Sequence, residues 1–379
     1  MTVYFDNSAT TRVCTEAAET VVKLMTEDYG NPSSGHFLGR RAKAHLDEAR
    51  KNVAYALGAK PEEIFFTSGG TESDNWAIFG AADLKRHNCH HMITSAYEHD
   101  AIRKPMERLA SQGWDITYLQ PDKFGRISAE QVTDALRDDT ALVSIMLVNN
   151  EIGAINPISE IAKAVKSKNS NTLIHVDAVQ GFCKIPFTAA SLGADLITVS
   201  SHKIHGPKGV GALYIKNGMR FPPIIFGGGQ EKSYRSGTEA LPGICGFGTA
   251  AKIGRDLVSQ TEKHTRELRD HLVKALNDIS AEVLVIGEGD APHILSISLP
   301  GYKSEVLMNV LDADGICVSK SSACKRGGRS HVLEVMGLPN DVIDGAIRIS
   351  FSRMNTLEEC DYFAEKLDAA AKRLIKVKR

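Results

Sequence analysis

The chain has 379 residues, 42% hydrophobic and 24% charged, with 45 Lys and Arg against 46 Asp and Glu. A formal net charge of −1 provides no global positive field for nucleic acid, and no basic amphipathic run points to a membrane surface. The opening MTVYFDNSATT has neither the basic nor the apolar region of a secretory signal, and the apolar runs are only strand-length, so a cytoplasmic protein is expected.

The length predicts two domains. In LGRRAKAHLDEARKNVAYALG, Leu38, Ala42, Leu46, Ala49, Val53 and Leu57 recur every three or four residues, one helical face stopped by Gly58. The run IFF (64–66) enters a glycine turn, and ESDNWAIFGAADLKR then reads as helix. His87, His90 and His91 beside Cys89 read as a solvated helix-to-strand connection rather than a metal site. Strand-like HMITSA, DITYL, ALVSIMLVN, TLIHVDA, ADLITVS and GALYI follow in turn. Between two of them, Ser128 and Gln131 form a capping box, with Ile127 and Val132 placed as a hydrophobic staple.

This alternation predicts an α/β fold with a mainly parallel sheet covered by helices on both faces. Ligands then bind at the carboxyl ends of the strands, where NNE, DAVQ and SSHK stand. From about residue 250 the pattern changes to a long helical stretch (about 246–279), EVLVIG, HILSISLPG, helical SEVLMNVLDADG, strands ICVSK and AIRISFS, and a terminal helix opened by Thr356 and Glu359. The predicted division is a large domain over 14–250 and a smaller α+β domain made of 1–13 and 251–379. Seven cysteines (14, 89, 183, 245, 317, 324 and 360) are scattered without a C-x-x-C, so disulfides are not expected. Cys317, inside an apolar strand, is expected in the core.

Lys203, in SSHKIHGPKGVGALYI, follows a strand. A lysine there can be partly desolvated, which frees its amine for Schiff-base chemistry; a solvated loop lysine is the plainer alternative. GPKGVG fails as a phosphate loop because a strand, not a helix, follows it. A pyridoxal phosphate site needs four more parts, and each has a candidate. TSGGTES (67–73) opens a helix and offers an anion cradle. Asp177 ends an apolar strand and suits a pyridinium nitrogen. Asn150 and Gln180 lie at neighbouring strand ends, and His99 begins a helix where it could cover the ring. Singly, Asp177 reads as a turn residue and His99 as a cap; together at strand ends they point to one site.

SSHKIHGPKGVGALYI, FTSGGTESDN, VNNEIGAINPI, HVDAVQ, RSGTEALP and SSAC resemble the motifs of the class V aminotransferase-like cysteine desulfurases, in the branch serving iron–sulfur assembly and tRNA thiolation. The resemblance runs from FDNSATT nearly to the end. It implies the type I fold of pyridoxal-phosphate-dependent transferases, with a seven-stranded sheet in the large domain. It implies that Lys203 holds the cofactor and moves the substrate's α-proton, that His99 stacks on the ring and assists, and that Asp177 pairs with the ring nitrogen. Asn150 and Gln180 would address the ring hydroxyl side. Gly70, Thr71, Ser200 and His202 would hold the phosphate, with Thr238 supplied by the second subunit of a homodimer. Arg348 would clamp the carboxylate of L-cysteine, with Asn31 nearby; without the family, Arg348 reads as pairing on a sheet face.

Within SSACKRGGRS (321–330), Cys324 matches the cysteine that takes sulfur from the substrate as a persulfide and passes it to an acceptor protein. Gly327 and Gly328 would give the arm slack, and Lys325, Arg326 and Arg329 would favour the thiolate or dock an acceptor. This arm is shorter and more basic than is usual in the branch, which bears on reach and acceptor choice. Alternatives are a selenocysteine lyase, another aminotransferase of the same fold, or a non-catalytic scaffold.

Overall fold

The computed structural model describes residues 2–320 and 328–376. Its strands are β1 (Val3–Tyr4), β2 (Ile64–Thr67), β3 (His91–Ser95), β4 (Asp115–Leu119), β5 (Thr140–Ser144), β6 (Leu173–Asp177), β7 (Leu196–Ser200), β8 (Gly211–Ile215), β9 (Leu284–Ile286), β10 (Ile294–Ser298), β11 (Ile316–Cys317), β12 (Ser319–Lys320) and β13 (Ala346–Ser350). Seven of them form one sheet in the order β2-β8-β7-β6-β5-β3-β4. All neighbours pair in parallel except β8, which is antiparallel to both β2 and β7. The mainly parallel sheet is therefore as predicted. TALVS, LIHVD and LITVS are buried at every position, as strands covered on both faces must be.

The first four helices are α1 (Thr15–Thr26), α2 (Phe37–Leu57), α3 (Gly70–Lys85) and α4 (Asp100–Ala110). α2 buries Ala42, Leu46, Ala49, Val53 and Leu57, and Gly58 ends it at φ 61°. A side chain at Gly58 would be strained at that φ and would also meet Thr188 at 2.8 Å. The capping boxes at Ser128 and Thr356 are both present. No described helix is long and apolar enough to cross a membrane.

The second sheet is antiparallel, in the order β12-β13-β10-β9. Its core joins Ile297, Ile347 and Phe363 to Phe5 from the chain's beginning, whereas Cys14 and Ala17 belong to the core of the large sheet. The boundary expected at residue 250 falls inside the helix Leu241–Asp256, and the chain changes direction at Leu257.

Four expectations need correction. The helix expected over 246–279 is two helices, Leu241–Asp256 and Val258–Asn277. The first packs Ile244, Phe247 and Ala250 into the large core and the second packs Leu268 and Leu272 into the small one, so one straight rod could not serve both. The strand expected over ALVSIMLVN ends at Ser144. Beyond it the chain still bonds to β6 through the Ile145 and Leu147 N–H groups, then doubles back through a bridge between Val148 and Ile155. ICVSK splits into β11 on β1 and β12 on β13, which leaves Cys317 only half-buried. The histidine-rich connection is not wholly solvated. Cys89 and His91 are buried, and the ring of His91 sits 2.8 Å from Thr140 Oγ1 and 2.9 Å from Thr117 Oγ1.

One buried ion pair ties the edge of the large sheet to a distant loop. Arg50 on α2 makes two contacts to the Glu231 carboxylate, at 2.6 and 2.8 Å, and donates to the Ile64 carbonyl at 2.7 Å. Glu231 also accepts from the Phe66 N–H at 2.9 Å. It begins a left-handed run of three non-glycine residues, Glu231, Lys232 and Ser233, with φ of 46°, 56° and 67°. Arg50→Ala would leave that carboxylate buried without its cation, and urea unfolding followed by circular dichroism should show a loss of about 3 kcal/mol.

Candidate active site

The carboxyl ends of β5, β6 and β7 and the first turns of α3 and α4 surround a cavity of about 410 Å³. Lys203, in the turn after β7, donates to the Ser8 and Ala9 carbonyls at 2.6 and 2.7 Å, so the N-terminal segment backs the lysine. Asp177 is the last residue of β6 and accepts the Val179 N–H at 2.9 Å. His99 caps α4, its Nδ1 accepting from the Ala101 N–H at 3.1 Å, and it also lines the cavity. The capping and site readings of His99 thus hold at once.

Gly70 and Thr71 open α3, and Ser200 and His202 stand opposite them at the end of β7. Gln180 donates to the Ser8 carbonyl at 2.9 Å. Arg348 reaches the cavity from β13 in the smaller sheet and is 98% buried, with 2% of its surface exposed. Its Nη1 donates to the Asn150 carbonyl and its Nη2 to Asp6, both at 2.9 Å, while Nε has no hydrogen-bond partner among the described residues.

Asn31, expected near Arg348, and Thr238, expected from a second subunit, do not line this chain's cavity. Asn31 is exposed and accepts from the Ser33 N–H, and Thr238 is exposed on a separate cleft beside Ser68 and Arg235. Cys324, Lys325, Arg326 and Gly327 lie outside the described residues. Arg329, expected beside the thiolate, pairs with Asp344 at 2.8 Å and lines the cavity.

The electrostatics of the cavity are unusual. Asp177 is raised by burial, against the lowering influence of His99 and Lys203. Asp74 is pushed well above the carboxylate range by burial and by the Asp177 charge. Burial lifts Glu98 to about 8 and Glu151 to about 7. His175, behind Asp177, is held neutral at about 3 by burial and bonded to Ser144 and Thr198. Burial and the Lys203 charge bring His202 down to about 4. A buried carboxyl of this kind keeps its charge only beside a cation.

These residues fit pyridoxal phosphate. Its protonated ring nitrogen supplies the charge Asp177 lacks, and its phosphate suits the N terminus of α3. The Ser8 hydroxyl, Asp74 Oδ1 and Glu98 Oε2 are buried polar atoms without hydrogen-bond partners among the described residues, on residues that line the cavity. At Gly70 a side chain would press to 3.1 Å from Val179, so the cradle needs its smallest residue there. The family model for aminotransferase class-V matches residues 3–363. The chain belongs to this family.

Within the class V family its relatives are cysteine desulfurases. It is 42% identical over 378 residues to the cysteine desulfurase IscS of Methanosarcina thermophila, covering 98% of this chain and 92% of that one. It is 40% identical to a putative cysteine desulfurase, IscS 1, of Bacillus subtilis, covering 98% and 99%. Among solved structures, a NifS-like protein superposes with a TM-score of 0.93 at 41% identity over 99% of this chain and all of that one. A structure titled SspA in complex with cysteine gives 0.82 at 32% identity, over 94% of this chain and 100% of that chain. Class V enzymes of this group are pyridoxal-phosphate-dependent, and so is this one.

Sequence reasoning missed Asp74, Glu98, Glu151 and Ser8, all of which line the cavity. Asp74 sits inside FTSGGTESDN, Glu98 directly precedes His99, and Glu151 ends NNE; the signal was position beside a chosen residue. Glu98 accepts Ser95 Oγ at 2.5 Å and the Met146 N–H at 3.0 Å through Oε1. Because its folded pKa is raised, the stability it contributes is complete below the ordinary glutamate value of 4.5 and is lost as pH rises through about 8. Glu98→Gln removes that titration. Thermal melts should show the variant gaining on the wild type between pH 5 and pH 8.5.

Proposed function

We propose that this chain is a cysteine desulfurase that converts L-cysteine to L-alanine and carries the sulfur on Cys324 for delivery to an acceptor protein. The observation that carries the reading is the convergence of Lys203, Asp177, His99 and Arg348 on one cavity. The described chain resumes, shortly after Cys324 in sequence, beside the same cavity. Arg329 and His331 line it, and Arg329 follows Cys324 by five positions in the sequence, a reach of at most about 18 Å.

Bound pyridoxal phosphate supplies an electron sink that labilises the substrate's α-proton and weakens its Cβ–Sγ bond. Lys203 holds the cofactor and moves the proton at the substrate's Cα. His99 has Nδ1 occupied by the Ala101 N–H, which places its own proton on Nε2 and suits it to donate. Arg348 is fixed by Asn150 and Asp6, and the rest of its fork takes the substrate carboxylate. The Cys324 thiolate bonds to Sγ as the Cβ–Sγ bond breaks, Cβ gains a proton, and alanine leaves.

The proposal includes a homodimer. Val22 and Met25 on α1, Tyr29 just beyond it and Phe37 at the start of α2 are 60%, 63%, 65% and 61% exposed, apolar side chains of the kind that partners cover. Asn31 and Thr238 stand outside this chain's own cavity, where a second copy could receive them. The acceptors proposed are an iron–sulfur scaffold or a tRNA-thiolation enzyme. The division into 14–250 and the remainder is also proposed.

Incubation with L-cysteine should yield alanine and, by mass spectrometry, a reducible one-sulfur adduct on Cys324. Cys324→Ala should form alanine at under about 1% of the wild-type rate; full activity would overturn the assignment and favour a lyase that needs no protein thiol. Arg348→Ala should raise KM for cysteine about 10- to 100-fold, the loss of a charge-assisted hydrogen bond.

A further inference from the structure

The turn that follows β5 holds two parts of the proposed machinery through neighbouring residues. The Asn150 carbonyl accepts from Arg348 Nη1 at 2.9 Å, and the Glu151 carboxylate accepts from the Ser330 hydroxyl. Ser330 follows Cys324 by six positions in the sequence and stands between Arg329 and His331, both of which line the cavity. One turn is therefore bonded both to the guanidinium that would take the substrate carboxylate and to the chain that follows the thiol.

The turn is braced from within. Asn149 is fully buried, and its side-chain oxygen accepts the N–H groups of Glu151 and Ile152 at 2.9 and 3.1 Å. Its carbonyl accepts the Gly153 N–H at 3.0 Å. An asparagine that closes a turn on its own backbone fixes the residues after it locally, so Asn150 and Glu151 are presented in a set relation.

Three successive residues after Cys324 are held, and the holds are unequal. Arg329 pairs with Asp344 at 2.8 Å, but its side chain is 37% exposed, where water competes for it. His331 Nε2 donates to the Ala96 carbonyl at 2.8 Å from a half-buried ring. Glu151 and Ser330 are 7% and 5% exposed, so their bond is shielded from solvent and stronger for it. Ser330 also does more than a helix cap. Its Oγ accepts the Leu333 N–H at 3.1 Å, as a cap does, and donates to a carboxylate 179 residues away in sequence. Burial raises that carboxyl to about 7 against the opposing Ser330 bond and Arg348 charge, so both partners act on the one group.

We propose that Glu151 is a positioning residue for the sulfur-transfer step, setting the start of the helix His331–Val335, and with it the point from which Cys324 reaches, in register with Arg348. The inference rests on the desulfurase reading and deepens it. Attack on Sγ demands close placement, and an error of about 1 Å can cost about 100-fold. Proton movement at the substrate's Cα is the task of Lys203 and needs no thiol. Arg348 is held by the Asn150 backbone and by Asp6, not by the Glu151 side chain. Loss of Glu151 should therefore slow sulfur transfer while sparing substrate binding and the Cα proton.

The test compares holoenzymes of the wild type, Glu151→Ala, Ser330→Ala and the double variant. For each variant kcat for alanine formation from L-cysteine should fall about 10-fold or more, with KM within about 2-fold. Exchange of the α-hydrogen of L-alanine in D2O, followed by NMR, should stay within about 2-fold of the wild type. Hydrogen-exchange mass spectrometry should show faster amide exchange over residues 331–337 in each variant. The double variant should lose no more than the worse single one, because both remove the same contact. If Glu151→Ala does not fold, Glu151→Met, apolar and similar in volume, gives the same reading. Variants with full kcat, losses that multiply in the double variant, unchanged amide exchange, or α-hydrogen exchange that falls with cysteine turnover would each overturn this proposal and leave the desulfurase reading standing. A wild type that makes no alanine from cysteine would overturn that reading and this inference with it.

Discussion

Charge taken out of water without a partner is the constraint on which this structure turns. Asp177, Asp74 and Glu98 are all buried around one cavity, and among the described residues the positive groups acting on Asp177 are His99 and Lys203. A flat cation seated against Asp177 resolves that imbalance, and a cofactor with a protonated ring nitrogen is such a cation. Lys203 also lines a second, small void, beside Lys184, His205, His293 and Arg353. The polarity of its surroundings is thus a property of the fold, present before any ligand arrives.

The fold produces this arrangement by bringing residues far apart in sequence to the same edge. Parallel strands β5 to β7 end together, so Asp177 and Ser200 and the turns that follow them share one rim. Helices starting at Gly70 and Asp100 point their N termini at the same rim. The smaller sheet contributes Arg348 across the gap, and the N-terminal segment contributes the Ser8 and Ala9 carbonyls. Each contributor is anchored elsewhere by an apolar core, which lets polar groups stay buried at the junction.

Much of this was legible in the sequence, because strand ends in an alternating α/β pattern are where chemistry must sit. Lys203, Asp177 and His99 stood out as polar residues following apolar runs. Glu98 and Asp74 did not, since an acid in or just before a helix's first turn looks like an ordinary cap until burial is known. Lys184 and His293 were invisible for a related reason: a lysine after a tight turn reads as solvated, and HILSIS reads as strand whatever its first residue faces. The break at Leu257 was missed because helical periodicity runs through it, and only the demand of two separate cores reveals it. Asn31 and Thr238 were placed by family resemblance, and a single chain cannot bring them to its own cavity.

The N-terminal segment has a consequence for how the protein is made. Asn7 bonds to the Ser350 carbonyl 343 residues later, and the Ser8 N–H bonds to Ser350 Oγ. At about 5–20 residues per second on the ribosome, those first residues wait tens of seconds for their partners. Until β13 emerges, the nascent polypeptide holds Lys203 and Asp177 but lacks both the Arg348 guanidinium and a settled backing for the lysine. An interrupted translation product would carry the cofactor lysine without the means to grip an amino acid, so reactivity arrives only with the finished chain.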